Sequence, residues 1–402
     1  MHQLSSEFRY RNRKSSVIDI STKNGTAKIW AAKSSISADA RKTIEDLTKC
    51  PDVYPYIAIM HDFHINGSWL NGSIIPTRNS LFVTAVGGDL GCGMASLKLP
   101  IQTDDIEGSL KAIYKEIYAT VPCGRRTNET IDDAIENHPV FNHQSDVLTN
   151  DVRKKAKRQL GTLGGGNHFI EIQKNEEGEL NIMVHTGSRY LGQVIRSVHL
   201  KNGTELARPH GLVTLAADSP EGQKYLNDMS LAIDYAKENR TEILRRVYAA
   251  IAKFVPELQQ RDFSEFAEDT IDIHHNYIAQ EEHFGETLYV HRKGAIHLLE
   301  GEVGIVPGSM GSKSYLVMGR GNIFSFNSCA HGAGRKLSRR EAFNGITPRR
   351  FRQSMGDVIS RTDRNVFDEA PEAYKDIEGV MRSQRDLVKV SDVLYPLASI
   401  KG

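Results

Sequence analysis

The sequence predicts an α+β fold made of one large domain, with irregular mixed sheets and glycine-rich strand ends around a central cleft. Short β-rich runs and helical patterns are interleaved along the 402 residues without the regular period of a doubly wound sheet. No internal repeat and no long low-complexity linker divides the chain, so we predict a single domain over residues 1–402. Glycines fall beside the predicted strand ends, where backbone can approach a ligand closely.

Helical periodicity is clearest in two short regions and one long region. Apolar residues recur at three- and four-residue spacing over 38–49 and 106–119, which predicts amphipathic helices. The region 220–256 has the longest helical pattern and carries no obvious chemistry. Residues 124–158 are polar and charged, and we expect a loop there with a helix at its end.

Five β-rich runs predict strands between these helices. The runs are YIAIM (56–60), LFVTAV (81–86), LNIMVHT (180–186), TLYVHR (287–292) and YLVM (315–318).

Composition argues against several classes of protein. A formal net charge of +1 excludes a simple polycationic nucleic-acid binder, although local basic runs such as Arg125-Arg126 keep nucleic acid in consideration. Four scattered cysteines are too few for a disulfide framework. No apolar run approaches the ~20 residues of a membrane span, and no signal peptide is recognisable, so we expect a cytoplasmic protein. The basic stretch within residues 1–16 suits either an RNA-contacting arm or a solvated tail.

The motif GGDLGCGM (87–94) is the first candidate site. Asp89 and Cys92 are three residues apart in a glycine-rich turn, so both side chains can converge on one cation. A carboxylate with a thiolate suits a borderline metal such as zinc or manganese better than magnesium. The alternative is a buried structural cysteine beside a turn aspartate.

The motif GTLGGGNHFIEI (161–172) has four glycines within six residues, followed by His168 and Glu171. Strand alternation places His168 on one face with two isoleucines. Asn167, Phe169 and Glu171 then share the other face. No phosphate-loop signature is present. A tight turn leading into a core strand is the alternative, although four glycines are more than such a turn requires.

Three histidines occur in two further motifs. His185 ends a predicted strand in VHTGSR (184–189), and DIHHNY (272–277) contains the adjacent His274 and His275. A lone histidine is more often a satisfied core residue than a ligand, but paired histidines near an aspartate favour a metal site. Spacing alone leaves open which of the pair points inward.

Two later motifs suit oxyanion binding. In VPGSMGSKSYLVMG (306–319), hydroxyls such as those of Ser309 and Ser314 can hold phosphate or sugar oxygens, unless the segment is an ordinary β-turn. In CAHGAGRKLSRR (329–340), His331 precedes a flexible bend, and Ser338 suits the N-cap of a basic helix. Such a segment is either a surface loop or an anion site with a reactive imidazole. Together the motifs predict a metal-dependent enzyme acting on a phosphate-containing substrate.

In this order the motifs resemble those of the RtcB family of RNA-splicing ligases, over nearly the whole chain. The matching stretches are AKIWAAK (27–33), DFH and GSIIPT within 62–77, GGDLGCGM, GTLGGGNHFIEI, VHTGSR, HHNY (274–277), HRKGA (291–295), PGSMGSKSY (307–315), HGAGRKLSR (331–339), EAYKDI (372–377) and KG (401–402).

The resemblance implies a GTP- and Mn²⁺-dependent RNA ligase. Its family joins RNA ends that carry a 2′,3′-cyclic phosphate or 3′-phosphate to ends that carry a 5′-hydroxyl. By motif, two manganese ions should bind to Asp89, Cys92, His168, His185 and His275, with the Cys92 thiolate bridging them. His275 is chosen over His274 because the family's ligand directly precedes the asparagine. His331 should be the nucleophile, becoming a GMP-histidine.

The resemblance also implies a guanylate site, in which Glu171 reads the guanine edge and Lys401 reaches its oxygen. The residues carried over are Asn167, His168, Phe169, Ile170, Glu171, His275, Asn276, Pro307, Gly308, Ser309, Met310, Ser314, His331, Gly332, Ala333, Gly334, Tyr374 and Lys401.

The chain departs from the family pattern in three places. His61 and Phe63 stand in MHDFH where MPDVH is common, INGSWLNGS (65–73) replaces a stretch richer in glycine and lysine, and Tyr190 stands where glycine is usual. We expect these changes where RNA ends enter, so the substrate is either tRNA halves or another cleaved RNA, with or without an accessory activator protein. The alternatives are a metal-dependent phosphoesterase that opens cyclic phosphates without ligation, and an RNA-binding module without catalysis.

Overall fold

Nineteen strands occur in the residues that the computed structural model describes, which are 17–32, 36–66, 69–206 and 211–402. In chain order they are β1 (Val17–Ser21), β2 (Thr26–Trp30), β3 (Tyr56–Asn66), β4 (Trp69–Thr77), β5 (Ser80–Phe82), β6 (Gly93–Gln102), β7 (Phe169–Lys174), β8 (Glu179–Thr186), β9 (Thr204–Glu205), β10 (Val213–Ala216), β11 (Ile271–His274), β12 (Asn276–His283), β13 (Glu286–Lys293), β14 (Ala295–His297), β15 (Val303–Val306), β16 (Ser314–Gly319), β17 (Ser328–Ala330), β18 (Ile359–Ser360) and β19 (Val388–Lys401).

Twelve α-helices accompany them in the same ranges. They are α1 (Ala38–Thr48), α2 (Val83–Val86), α3 (Leu110–Thr120), α4 (Asp133–Glu136), α5 (Asn150–Gln159), α6 (Arg189–Asn202), α7 (Pro220–Ala252), α8 (Pro256–Gln259), α9 (Ser264–Ala267), α10 (Arg339–Gly345), α11 (Pro348–Met355) and α12 (Ile377–Ser383).

Two large mixed sheets dominate the described part of the chain. The eight-stranded sheet has the order β11-β6-β8-β7-β19-β16-β15, with the short β18 parallel to β19. The six-stranded sheet has the order β1-β2-β3-β4-β13-β12 and is antiparallel except where β2 pairs with β3. Because strands and helices do not alternate in a βαβ pattern, the predicted α+β class is confirmed.

Helices cover the apolar face of each large sheet. Ile170 of β7 and Ile182 of β8 pack in one buried cluster with Ile243 of α7, and α3 contributes to the same cluster. On the six-stranded sheet, Ile44 of α1 packs with Ile57 of β3. A sheet that is apolar on one face is stable only when another element covers that face, so these helices are required by the strand pattern.

The predicted helices are found at or near their expected positions. Helices α1, α3 and α7 confirm the three periodic regions, and α5 is the helix expected at the end of 124–158. The predicted strand at 81–86 is wrong beyond Phe82, because the chain turns into α2 and ends that helix at Gly87, which has a φ of 77°. A short apolar run gives the same burial pattern as strand or helix, so sequence could not distinguish them.

Two further sequence expectations concern membrane spans and the basic N-terminal stretch. No helix among the described residues has both the length and the apolar character needed to cross a bilayer. The basic stretch within residues 1–16, considered as an RNA-contacting arm or a tail, lies outside the described residues.

Helix α7 holds three segments near the predicted metal ligands through one buried arginine. Nε and one terminal nitrogen of Arg240 donate to the two carboxylate oxygens of Asp272, at 2.7 and 2.6 Å. The other terminal nitrogen donates to the carbonyls of Gly91 and Thr186, at 2.9 and 3.1 Å. The arginine side chain is fully buried, so its charge is stable only because these four acceptors surround it.

We expect Arg240→Ala to destabilise the fold by about 3–5 kcal/mol, because it leaves a largely buried aspartate and two carbonyls without a donor. Urea unfolding followed by circular dichroism measures this free energy. Arg245→Ala on the same helix is the control, since its exposed pair with Glu242 contributes about 0–1 kcal/mol. Equal losses in the two variants would contradict the role assigned to Arg240.

Candidate active site

Strand ends from both large sheets line a cavity of about 560 Å³. In the eight-stranded sheet, His185 at the end of β8 lies in register with Phe169 of β7 and Met94 of β6. His274, the last residue of β11, pairs with Gly93. Neighbouring strands lie ~4.8 Å apart, so side chains that flank these ends come within ligand distance of one another.

Cys92 belongs to two groups of potential metal ligands. Its Sγ lies 3.2 Å from Nε2 of His185, and the ligand atoms of Cys92, His185 and His275 lie within 4.8 Å of one another. In the second group, the ligand atoms of Asp89, Cys92 and His168 also lie within 4.8 Å of one another. Sγ of Cys92 is 3.6 Å from Nε2 of His168. The structure thus brings together all five residues predicted as metal ligands.

Backbone carbonyls orient two of the imidazole rings. Nδ1 of His168 lies 3.0 Å from the Leu163 carbonyl oxygen, and Nδ1 of His185 lies 3.3 Å from that of Asn167. A proton on each Nδ1 donates to its carbonyl and leaves the Nε2 lone pair directed at Cys92. Lone pairs that face one another in a buried site repel, and a cation bound between them would replace this repulsion by attraction.

Burial sets the charge states of this cluster. It raises the pKa of the Cys92 thiol well above its ordinary value, and the Asp89 carboxylate adds to the rise. Burial lowers the pKa of His185 and of His275 well below the ordinary value. Burial acts to raise the pKa of Asp89, but attraction to His168 and Lys293, together with hydrogen bonds from His168 and Cys92, outweighs burial, and the pKa is lowered. The two imidazoles are neutral ligands, whereas a thiolate at Cys92 requires a cation, so the donor set fits a divalent metal of borderline softness.

His331 faces this cluster and is oriented by a buried aspartate. Its Nδ1 lies 2.6 Å from Oδ2 of Asp62, and its backbone N–H donates to the same oxygen at 3.2 Å. The His331 ring centre is 4.7 Å from that of His275. Gly334, with a φ of 69°, permits the approach, since a Cβ there would lie 2.4 Å from the Asp62 carbonyl oxygen. A proton held on Nδ1 leaves Nε2 of His331 as the nucleophilic nitrogen.

One buried carboxylate fixes four side chains on another wall of the cavity. Glu369 lies 3.0 Å from Nζ of Lys401 and accepts the Tyr374 hydroxyl at 2.5 Å. Arg335 and Arg339 pair with its other oxygen, at 3.2 and 2.9 Å. Burial acts to raise the pKa of Glu369, but Lys401 and the other donors outweigh it, and the pKa falls to about 2. This wall therefore keeps a fixed negative charge beneath three cations.

Most residues predicted to bind the nucleotide line the cavity. His168, Ile170, Glu171 and Ser314 do not; they are buried behind it. Ile170 packs against the helices, whereas the Glu171 carboxylate accepts from Nε2 of Gln173 at 2.7 Å. Burial raises the pKa of Glu171 to about 7. The predicted residues that line the cavity are Asn167, Phe169, His275, Asn276, Pro307, Gly308, Ser309, Met310, His331, Gly332, Ala333, Gly334, Tyr374 and Lys401.

Comparison with known proteins decides the family. A family model described as tRNA-splicing ligase RtcB matches residues 43–402. The RNA-splicing ligase RtcB of Escherichia coli (strain K12) is 36% identical over 408 residues, which cover 95% of this chain and 99% of that protein. The tRNA-splicing ligase RtcB of Nanoarchaeum equitans (strain Kin4-M) is 31% identical, over 79% of this chain and 81% of that protein. This chain belongs to the RtcB family. It is therefore an enzyme, and the resemblance inferred from the motifs is confirmed.

Two departures from the RtcB pattern flank Asp62. Phe63 is buried in the apolar cluster beneath α1, and Nδ1 of His61 lies 2.9 Å from Oγ of Ser383. Nζ of Lys375 donates to the backbone carbonyls of His61 and Phe63, at 2.8 and 2.9 Å. Neither side chain lines the cavity, and Phe63 is buried, so neither contacts a ligand there. Instead these residues support the strand that presents Asp62, and the position at which RNA ends enter stays a prediction.

The other departures differ in their surroundings. Tyr190, near the start of α6, is half-buried, and Nζ of Lys155 lies 4.9 Å from its ring centre. In the stretch 65–73, Trp69 and Leu70 are buried, whereas Ile65 and Asn71 line the cavity and Ile65 is exposed. Residues 67 and 68 lie outside the described residues. Substitution of glycine by Tyr190 thus adds apolar packing to α6.

Sequence reasoning missed four residues of this RtcB site. Asp62 was part of a quoted motif, but no local signal paired it with His331. Lys293 lines the cavity and donates to the Val86 carbonyl at 2.9 Å. Glu369 is bound by Tyr374, five residues away, but also by Arg335, 34 residues away, and Arg240 binds Gly91 across 149 residues. These combinations of partners emerge only from the fold.

We expect Cys92→Ala to weaken binding of two divalent cations at once, because its sulfur belongs to both ligand groups. Isothermal titration of the metal-free protein with Mn²⁺ gives the stoichiometry and the affinities. Cys50→Ala is the control, since Cys50 is buried but belongs to neither group. Loss of only one cation in Cys92→Ala would contradict the shared role.

We expect cation affinity to rise with pH. The pKa of Cys92 is raised, so a cation must displace its proton, whereas His185 and His275 are neutral and release none. One displaced proton increases the binding constant roughly tenfold per pH unit below the thiol pKa. Titrations at about pH 6 and about pH 8 measure the slope, and Cys92→Ala should abolish it. A pH-independent constant in the unmodified protein would contradict this assignment.

Proposed function

We propose that residues 1–402 form one catalytic domain that joins RNA ends carrying a 2′,3′-cyclic phosphate or 3′-phosphate to ends carrying a 5′-hydroxyl, using GTP and two Mn²⁺ ions. The relatives named above are RNA- and tRNA-splicing ligases, which supports an RNA substrate. The observation that carries the proposal is the Asp62–His331 pair, which faces two metal-ligand groups within one cavity.

The nucleophile is Nε2 of His331. Asp62 is fully buried and holds the Nδ1 proton, so the free lone pair stays on the other nitrogen and the ring keeps its orientation. Attack on the α-phosphorus of GTP forms a P–N bond and breaks the bond to the β-phosphate oxygen, which releases pyrophosphate. Asp62 stabilises the positive charge that develops on the ring.

Asp89, Cys92 and His168 would hold one cation, and Cys92, His185 and His275 would hold the other. Bound divalent cations would neutralise charge on the triphosphate and its leaving group. A thiolate with imidazoles favours zinc in raw affinity, so we assign manganese by geometry and availability, as the family resemblance implies.

The nucleotide occupies the rest of the cavity. Ser309 and the backbone of the 331–334 loop offer groups that can bind phosphate and ribose oxygens. Lys401 contacts the guanine, and Glu171 reads its hydrogen-bonding edge from behind the cavity wall after a side-chain shift. Of the eighteen residues carried over from the motifs, we assign the fourteen that line the cavity as guanylate contacts. Besides Glu171, the others are His168, Ile170 and Ser314, which would support the wall from behind.

Ligation then follows in two transfers. An oxygen of the RNA 3′-phosphate attacks the phosphorus on His331, which breaks the P–N bond and forms an RNA-3′-pp-5′-G end. The 5′-hydroxyl of the second RNA attacks the RNA 3′-phosphorus, loses its proton to a base, and displaces GMP. A cyclic phosphate must first be hydrolysed to a 3′-phosphate. We propose tRNA halves or another cleaved RNA as the substrate.

A phosphoesterase that only opens cyclic phosphates is the alternative from sequence. Such an enzyme needs the metal ligands but not an imidazole oriented by a buried carboxylate, nor a lysine on the cavity wall. Both features are present at His331 and Lys401, which supports the ligase.

Labelling with GTP that carries a radioactive α-phosphate tests the intermediate. With Mn²⁺, the protein should acquire a covalent label that is acid-labile and alkali-stable, as a phosphoramidate is. His331→Ala should abolish the label, and His64→Ala, which alters a neighbouring histidine of the cavity, should retain part of it. Label that survives in His331→Ala would refute the mechanism.

We expect Asp62→Asn to slow self-guanylylation by roughly two to four orders of magnitude, because an amide favours the wrong imidazole tautomer. GTP binding, measured by equilibrium dialysis, should change little. A rate within a few-fold of the unmodified protein would show that Asp62 does not orient the nucleophile.

A further inference from the structure

Neither the backbone conformation nor the packing of the fold requires a glycine at position 165. Its neighbours Gly164 and Gly166 have φ angles of 80° and 74°, which favour glycine, but Gly165 is not among the residues with positive φ. A Cβ at Gly165 would meet only Gly124 Cα at 3.7 Å and Gly402 O at 3.9 Å, which are ordinary contacts. Residues 164–166 form what we call the glycine ridge, and Gly165 is partly exposed on it. A glycine at such a position is useful where a ligand must approach the backbone closely.

This glycine ridge joins two cavities. On one side, a Cβ at Gly166 would lie 3.3 Å from a terminal nitrogen of Arg339, which lines the first cavity. On the other side, Gly124 and Gly402 line a second cavity of about 610 Å³. Lys401 and Gly402 are consecutive, yet the former lines the first cavity and the latter the second. Residues 165 and 166, with Gly124 and Gly402, thus place backbone without side chains between residues that line the two cavities.

The second cavity presents uncompensated positive charge. Arg125, Arg126 and Arg361 line it, and of these only Arg361 forms an ion pair, with Asp363 at 2.7 Å, among the described residues. Arg126 donates to the Tyr118 carbonyl at 2.9 Å, which positions its charge without neutralising it. Arg125 is exposed and has no carboxylate partner in the same ranges. Two such arginines attract phosphate.

We propose that the second cavity binds backbone phosphates of the RNA strand, which crosses the ridge at Gly165 on its way to the first cavity. Arg125 and Arg126 contact phosphates, and Gly165 lets the backbone pass over the ridge. This inference rests on the proposed function, since it extends the RNA beyond the reacting ends. A polyanion fits better than a free nucleotide because successive phosphates of one strand can reach residues of both cavities.

Two variants separate this role from folding. Gly165→Asp adds a charged side chain where the backbone tolerates one, and Arg125→Glu reverses an exposed charge. The matched controls are Gly108→Asp, where a Cβ would meet nothing within 4 Å, and Arg41→Glu on α1, which is also exposed. Neither control residue lines either cavity. Thermal unfolding confirms that all four variants fold.

The probe is a fluorescent single-stranded RNA of about 12 nucleotides with a 5′-hydroxyl and a 3′-phosphate, titrated at several salt concentrations. We expect Gly165→Asp and Arg125→Glu to raise Kd roughly tenfold at low salt. Arg125→Ala should make the negative slope of log K against log salt shallower by about 0.7. The rate of self-guanylylation without RNA should stay within about twofold of that of the unmodified protein, because neither Gly165 nor Arg125 lines the first cavity.

Kd values and salt slopes equal to those of the controls would overturn the inference. An effect of Arg125→Glu without one of Gly165→Asp would overturn the path across the ridge. Failure of the unmodified protein to label itself with GMP would instead refute the proposed function, so the two failures are distinguishable.

Discussion

The buried polar side chains of α7 are the constraint on which the site depends. Arg240 binds Asp272 and the carbonyls of Gly91 and Thr186, so one guanidinium fixes the segments before Cys92, after His185 and before His275. The adjacent Asn239 accepts the backbone N–H of Gly161 and donates to the Thr162 carbonyl. Glycine-rich loops have high conformational entropy when free, and these two residues restrict them.

The cavity concentrates groups that destabilise a fold unless each has a partner. A buried thiol, three buried imidazoles and the carboxylates of Asp62 and Glu369 lie within one region of the molecule. Glu369 is paired with cations, and one oxygen of Asp62 is paired with His331 while the other is buried without a hydrogen-bond partner among the described residues. The thiol and imidazoles around Cys92 face one another. Groups of this kind destabilise a fold and are expected where the residues serve chemistry.

Residues whose chemistry is local could be predicted from the sequence, whereas residues whose partners are distant in the chain could not. The α+β class, the long α7 and the five metal-ligand candidates follow from periodicity, motifs and family resemblance. Asp62 lies 269 residues from His331 in the chain, and Arg240 is one charged residue among many on α7. The burial of Phe63 was not predicted, because the direction of its side chain depends on strand pairing. The run 81–86 was misassigned because its apolar residues would be buried in either structure.

Strand β19 comes after every other described strand in the chain, yet it lies inside the eight-stranded sheet between β7 and β16. Until it is synthesised, β7 and β16 each present an open edge, and the sheet exists only as two separate parts. Open edges favour pairing with other chains, so the nascent protein is at risk of aggregation during translation. The same strand ends at Lys401, which means that the sheet and the cavity wall are completed in one late folding step.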